Sequence, residues 1–380
     1  MADLCSHRWT ILAVPLVCLT LVGSLLVHWP TLLNTFQRPK LLPNPNPILK
    51  STITFNIANV TTIESSTIPV NATTTTVLIW YWAFGFNQGI RENVCKDRFG
   101  ITNCILTDDR SLFSKADFIV FHNRELITGQ QRLPLHLPRP QNQGWVWFSM
   151  ESPANNGNLR PFAGKFNYTM SYRRDADFFM PYGWLASRNV APGMTVEDFI
   201  PKKKSHLACW IVSNYARHHE RTRVYNRLKQ VINVEVYGGA VNRSLAREHV
   251  LPTISHCYFY LAFENSKFQD YITEKLWKNA LQGGAVPVVL GPPRKNYEAM
   301  IPKDSFIHVD DFESEEELGQ FLKELAGDRE RYASYFKWKL NYTAAETSNW
   351  FVEPQCRICT KLTTLQRPKV YRDLQSWEWK

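Results

Sequence analysis

Residues 259–293, FYLAFENSKFQDYITEKLWKNALQGGAVPVVLGPP, constrain the fold more than any other stretch, because an apolar strand, a charged loop, a short helix and a second apolar strand follow in close succession. Ile272, Leu276 and Ala280 recur at i, i+4, i+8 with Trp277 and Leu281 beside them. Asp270 or Thr273 stands near the start, and Gly283 and Gly284 lie past the end, as helix boundaries require. Pro287 sits early in the following strand, where it is tolerated. Lys275 falls in the first helical turn, where the macrodipole disfavours a cation unless an anion docks there too, and Glu274 beside it can accept from sugar hydroxyls. The pair suggests a grip on a ribose diphosphate. The same residues also read as a solvated helix face carrying a Glu274 to Lys278 ion pair at i, i+4.

Other apolar runs extend this alternation in both directions. VLIWYWAF at 77, ADFIVFH at 116 and GWVWFSM at 144 predict three buried strands with polar or helical connections. HLACWIV at 206 opens a second series, continued by the helix YARHHERTRVYNRLKQV from Tyr215, then VEVYGG, CYFYLAF and AVPVVLG. Strands alternating with helices predict a parallel α/β architecture in two halves, and 380 residues suffice for two ordinary cores. Ligands of such sheets bind off the carboxyl ends of the strands.

Ile11 to Val27 carries no charge, and Trp9 and Trp29 flank it as interfacial aromatics would, so 9–29 is expected to be a transmembrane signal anchor after a cytoplasmic tail at 1–8. Residues 30–76, rich in Pro, Asn, Thr and Ser, read as a stem. Sequons at Asn59, Asn71, Asn167, Asn242 and Asn341 all lie beyond the anchor and require that side to be lumenal for N-glycosylation. The short span suits Golgi membranes, giving a single-pass type II protein. Six cysteines follow the anchor, an even number in an oxidising compartment. Cys356 and Cys359 form a CxxC with no second CxxC to complete a zinc site, which favours stapling. The net charge of +10 fits an anionic ligand, while dispersed basic residues speak against nucleic acid.

Three groups of polar residues invite chemistry. Ser213 and Asn214 end a strand and precede a helix expected to bear Arg217 and Arg221 at i, i+4, so a phosphate could meet backbone N–H groups and guanidinium together. Alternatively the arginines are surface charges. Glu151 follows WVWFSM directly and precedes Ser152-Pro153, which ends the strand and projects the carboxylate, either as a general base or as a capping residue. Asp175-Ala176-Asp177 is a DxD, a pattern that can hold a divalent metal, but Arg173 and Arg174 are expected to neutralise it.

FENS followed by DYITEKL and GAVPVVLGP closely resembles the α1,3-fucosyl motif of the animal Golgi α1,3-fucosyltransferases, the Lewis x-forming 4-galactosyl-N-acetylglucosaminide 3-alpha-L-fucosyltransferase type. The similarity runs from about Val77 to Cys359 through TDDRSLF, FHNRE, MESP, YRRDADF, PYG, SNYARHHER, PTIS and SFIHVDDF. It implies a GT-B fold, two doubly wound Rossmann-like domains facing across a cleft: an acceptor-side domain at 77–200, a GDP-fucose domain at 201–365 and a C-terminal tail at 366–380. It also implies inverting transfer of L-fucose from GDP-β-L-fucose to GlcNAc of type 2 N-acetyllactosamine on glycoproteins and glycolipids. Type 1 or N-glycan core acceptors, or a non-catalytic glycan-binding protein, are the alternatives.

By that resemblance Glu151 is the base, and Arg221 and Lys275 stabilise the leaving group. The donor site draws on Tyr182, Ser213, Asn214, Arg221, Tyr260, Asn265, Tyr271, Glu274 and Lys275. Cys95 pairs with Cys356, Cys104 with Cys359 and Cys209 with Cys257. FHNRE stands where the family has FHHRD or HHWD; Arg124 there goes with type 2 acceptors, and Gln88 is a further acceptor contact although AFG replaces the family's PFG. No cofactor is required, with room for Mn or Mg to stimulate through GDP. A homodimer is left open.

Overall fold

The computed structural model describes residues 74–380 apart from 88, 92, 348 and 367. The tail, the anchor at 9–29, nearly all of the stem, Asn59, Asn71 and Gln88 therefore lie outside the described residues. Among those described, no helix is long and apolar enough to cross a membrane.

Two parallel sheets organise the chain. The first contains β1 (Thr75–Ile79), β2 (Cys104–Thr107), β3 (Phe118–His122), β4 (Gly144–Ser149), β5 (Tyr168–Ser171) and β6 (Phe178–Phe179), in the order β2-β1-β3-β4-β5-β6. A short antiparallel pair joins β7 (Gly183–Ser187) to a much later strand. The second sheet is built from β8 (His206–Ile211), β9 (Val234–Tyr237), β10 (Cys257–Phe263), β11 (Val286–Leu290) and β12 (Ile307–His308), in the order β12-β11-β10-β8-β9. The partner of β7 is β13 (Tyr342–Glu346).

Both sheets are covered on both faces, which is why their strands are continuous apolar runs and not polar alternations. Register pairs Val120 with Val146 and Phe121 with Trp147 in the first sheet, and Phe259 with Val286 in the second. The period of two then divides each strand between two cores. Val77, Val120, Val146 and Met170 face one core of the first sheet, and Leu78, Ile119, Phe121, Trp145 and Trp147 the other. In the second sheet Phe259, Leu261 and Val288 face one side, and Cys209, Tyr260 and Val289 face the helix Lys275–Gln282 on the other.

The end of the chain returns to the first sheet. Val352, Cys356, Ile358 and Cys359 enter one of its cores and Leu374 the other, so residues 352–365, expected with the second half, and the tail at 366–380 both pack on the first. Their apolar side chains find no room around the second sheet, whose faces are already filled by the helices Glu220–Leu228, Lys275–Gln282 and Glu315–Gly327. Disulfides join Cys95 to Cys356 and Cys104 to Cys359 with Cα separations of 5.4 and 5.7 Å, and Cys209 on β8 to Cys257 on β10.

Candidate active site

The carboxyl ends of β4 and β10 face each other. Ser152 Oγ donates to Ser266 Oγ at 3.1 Å, joining the loop after β4 to the loop after β10. Arg174, beyond β5, donates through Nε to Asp270 Oδ1 at 2.8 Å, and its main-chain N–H reaches Asp270 Oδ2 at 3.1 Å. Asp270 has φ +61°, a left-handed conformation unusual for a residue other than glycine, and Asn296 Nδ2 also donates to its Oδ1 at 2.8 Å. That strained corner turns Tyr271 inward, where its ring meets Tyr172 edge-on at 5.0 Å and Tyr182 at 6.2 Å. Tyr182 OH in turn donates to the carbonyl of Met150, beside Glu151.

Behind Tyr271 lies the charged centre. Lys275 Nζ is 2.9 Å from Glu264 Oε2, 2.8 Å from Thr273 Oγ1 and 3.4 Å from Glu274 Oε1. Glu264 is buried at the end of β10, and its other oxygen accepts from Thr273 N at 2.8 Å. Burial pushes the Glu264 carboxyl up, against the pull of Lys275. For Lys275 burial acts downward, but Glu264 and Glu274 outweigh it and hold the ammonium up. The Glu274 to Lys278 pair does not form, since Lys278 Nζ reaches Glu346 on β13 at 3.1 Å. The helix itself spans Lys275–Gln282 with the wider i to i+5 winding, starting after Ile272. Gly183 allows β7 to lie on this helix, because a Cβ there would come within 2.4 Å of Trp277.

Arg221 approaches from the β8 side. The expected helix from Tyr215 begins only at Glu220 and ends at Leu228, because the carbonyl of Asn214 is captured by the Arg221 guanidinium and not by a helical N–H. Arg217 consequently stands exposed in the segment before the helix, not one turn from Arg221. Arg221 is buried, its partners are the carbonyls of Asn214 and Phe263, and its Nε is a buried donor without a protein partner among the described residues. Asn265 Oδ1 is likewise buried and unpartnered. Burial lowers the Arg221 pKa, while Glu264, Tyr271, Glu274 and Tyr260 act on it in the opposite sense, which places all five in one electrostatic neighbourhood. Tyr260 is fully buried and accepts from Asn279 Nδ2 at 3.0 Å. Ser213 and Asn214 are exposed at the mouth.

Glu151 completes the arrangement from the first sheet. It is half-buried, Asn155 Nδ2 donates to its Oε2 at 3.1 Å, and it contributes to the raised pKa values of Tyr182 and Tyr271, for each of which burial is the largest cause. A carboxylate able to take a proton thus faces a cluster of cationic and aromatic groups able to hold an anion.

Comparison with known proteins identifies what carries such a site. A sequence profile described as glycosyltransferase family 10 (fucosyltransferase) C-term matches residues 201–377, and one described as fucosyltransferase, N-terminal matches 72–183. Alpha-(1,3)-fucosyltransferase 7 of Rattus norvegicus is 45% identical over 310 residues, 81% of this chain and 81% of its own length. The chain belongs to glycosyltransferase family 10, the fucosyltransferases. The 4-galactosyl-N-acetylglucosaminide 3-alpha-L-fucosyltransferase 9 of Mus musculus is 41% identical over 305 residues, 80% of this chain and 82% of that protein. A crystal structure of an α1,3-fucosyltransferase with GDP-fucose shares the fold at 17% identity and TM-score 0.50, covering 83% of this chain and 96% of that one.

In this fucosyltransferase the first sheet also bears the remaining candidates. Arg124 stands exposed on the helix Asn123–Ile127, with its guanidinium 5.8 Å from the ring centre of Phe84. Phe84, itself at φ +55°, donates its N–H to Glu125 Oε1 at 2.7 Å, and Glu125 Oε2 meets His122 Nδ1 at 2.6 Å. A cavity of about 350 Å³ opens beside it, lined by Trp80, Trp82, Asn87, Asp108, Arg110 and Gln131 among others. The DxD carboxylates are committed elsewhere: Asp175 to Arg173 at 2.7 and 2.8 Å, and Asp177 to Lys369 and Tyr371. Among the sequons, Asn242 and Asn341 are exposed, whereas Asn167 donates to the Lys369 carbonyl at 2.7 Å and accepts from Trp145 N at 2.9 Å. The sequence assigns Glu264 no role, and Asp270 and Thr273 only that of a helix boundary; the available signal for Glu264 is a carboxylate directly after the all-apolar CYFYLAF, where a buried charge demands a partner.

Proposed function

We propose that this chain is an inverting α1,3-fucosyltransferase of GT-B architecture that moves L-fucose from GDP-β-L-fucose to the GlcNAc 3-OH of type 2 N-acetyllactosamine, on glycoproteins and glycolipids, giving Lewis x-type products. The observation that carries the reading is that the loop bearing Glu151 meets the loop after β10 through Ser152 and Ser266, beside Tyr182 and Tyr271, with Tyr271 four residues before Lys275. Glu151 takes the proton of the acceptor hydroxyl as its oxygen bonds to the anomeric carbon, while the bond to the GDP oxygen breaks on the opposite face. GDP leaves as an anion, so that side of the site needs positive charge rather than an acid. Arg221, whose buried Nε is unpartnered and whose guanidinium makes no ion pair among the described residues, supplies positive charge, and Lys275 adds to it as it exchanges Glu264 and Glu274 for phosphate. Tyr182, Tyr260, Asn265, Ser213, Asn214 and Glu274 surround the nucleotide sugar.

The acceptor lies over the first sheet, between Glu151 and the cavity beside Arg124. In this reading metal is not required: the DxD carboxylates are paired with Arg173 and Lys369, and Arg221 and Lys275 are the cations that would balance the diphosphate. A Golgi type II placement agrees with the apolar run at 11–27, with three disulfides and with the exposed sequons at Asn242 and Asn341. Glu151→Gln tests the reading. GDP affinity within threefold of wild type with turnover reduced about 100 to 10,000-fold is expected, and turnover within threefold of wild type contradicts a base at Glu151.

A further inference from the structure

The loop carrying Glu151 is held by side chains that the reaction does not use. Ser149 Oγ accepts the Glu151 N–H at 3.1 Å, and Asn156 Nδ2 donates to the Glu151 carbonyl at 3.0 Å. Both polar groups of the Glu151 main chain are therefore fixed by buried side chains. These two are linked, because Ser149 Oγ donates to Asn156 Oδ1 at 2.7 Å. Asn123 Nδ2 reaches the same oxygen at 3.0 Å, and its own carbonyl accepts from Trp147 Nε1 at 3.0 Å.

The orientation of the Asn156 amide decides whether this works. Rotated by half a turn, it would present its oxygen to the Glu151 carbonyl and lose the bond. Asn123 Nδ2 on Asn156 Oδ1 already disfavours that rotation, and a second restraint on the amide comes from the far end of the chain: Glu378 Oε1 accepts the second Nδ2 hydrogen of Asn156. Glu378 is buried on the terminal helix Leu374–Glu378, which is seated independently of this bond. Leu374 enters the core of the first sheet, Gln375 Oε1 accepts from Leu159 N at 2.7 Å, and the Glu378 carbonyl accepts from Arg173 Nη1 at 3.0 Å. One residue on, Trp379 packs edge-on against Phe268 at 5.5 Å, on the loop between Ser266 and Asp270. The terminal segment thus touches both loops that face each other across the site.

We propose that the C-terminal helix is a positioning strut for the catalytic loop, with the Glu378 carboxyl oxygen orienting Asn156 and, through it, the main chain of Glu151. The proposal rests on Glu151 being the base. What Glu378 supplies is an acceptor at one point in space, so shape matters and charge does not. Glu378→Gln keeps an acceptor oxygen at that point, whereas Glu378→Asp keeps the charge but withdraws the oxygen by one methylene.

The test uses the full chain in detergent, with GDP titrated by calorimetry and turnover measured on GDP-fucose and N-acetyllactosamine. Glu378→Asp is expected to lower kcat about 10 to 100-fold, the effect of a misplacement of order 1 Å, with GDP affinity and KM for GDP-fucose within threefold. Glu378→Gln is expected to stay within threefold of wild type. Ser149→Ala, which withdraws the other anchor of Glu151, should reproduce the split seen for Glu378→Asp and serves if that variant does not fold. Turnover of Glu378→Asp or Ser149→Ala within threefold of wild type overturns the strut. So does Glu378→Gln as impaired as Glu378→Asp, or a parallel fall in kcat and GDP affinity. An inactive Glu151→Gln beside an unaffected Glu378→Asp removes the strut alone, and an active Glu151→Gln overturns both.

Discussion

Lys275→Ala removes two things at once, and the structure allows them to be separated. Among the described residues its ammonium is the only cation bonded to Glu264, which is buried and otherwise bonded to Thr273 N and Oγ1. Removing one partner of a buried pair costs about 3 to 5 kcal/mol, and the lower end applies here because the Thr273 bonds remain. Glu264 can also take up a proton, at a cost in stability of about 1.4 kcal/mol for each pH unit by which the pH exceeds its unfolded-state pKa. That pKa is already raised by burial and rises further without Lys275. A carboxyl raised in the folded state costs stability wherever the unfolded chain ionises first, so the deficit is smallest near pH 4.5 and grows towards neutrality. The second loss is the phosphate contact, about 1.5 to 3 kcal/mol, or roughly 10 to 150-fold in GDP affinity. Glu264→Gln combined with Lys275→Ala should restore the melting temperature, since no buried charge is left unpaired, but not GDP binding. Thermal melts at pH 5 and pH 7.5 with GDP calorimetry on both variants make the measurement. Unchanged GDP affinity in Lys275→Ala, or affinity regained in the double variant, refutes a phosphate role for Lys275.

Arg221→Ala should weaken GDP about 10 to 150-fold by calorimetry, and Arg221→Lys should not restore it, because one ammonium nitrogen cannot stand at the separate positions from which Nη1 and Nη2 reach the Phe263 and Asn214 carbonyls and Nε offers its donor. Activity should survive EDTA in substantial part; complete loss restored only by Mn would return the diphosphate to a metal. Cys356→Ser with Cys359→Ser should lower yield and melting temperature together, since bridges spanning 261 and 255 residues each contribute about 5 kcal/mol at most, and an unchanged melt would contradict this. Glycan mapping should find Asn242 and Asn341 occupied and Asn167 bare, because a sugar on Asn167 Nδ2 would displace the Lys369 carbonyl; a glycan at Asn167 in folded protein contradicts that contact.

Much of the scaffold is legible in the sequence because parallel strands covered on both faces must be apolar throughout, and GWVWFSM and CYFYLAF can hardly be anything else. Glu151 is visible for the same reason, as the first charge after such a run followed by a proline turn. What escapes is set by side-chain capture at long range. The helix at Tyr215 has good periodicity but loses its first turn to the Arg221 guanidinium, and no local pattern announces that. Glu378 meets Asn156 across 222 residues, so the terminal segment reads as a tail although Leu374 is core. Asn167 matches a sequon perfectly, yet its amide is spent on the tail. Disulfide partners are equally invisible to spacing and came from family resemblance.

The central claim is most directly tested by giving the full chain GDP-fucose with Galβ1,4GlcNAc, Galβ1,3GlcNAc and an N-glycan core acceptor, and determining the linkage and anomeric configuration of each product by NMR. Fucose in α linkage on the 3-OH of GlcNAc, formed on the type 2 acceptor in clear preference to the others, is the predicted result. Transfer to a different hydroxyl, retention of the donor's β configuration, or fucosylation confined to the type 1 or core acceptor would contradict it.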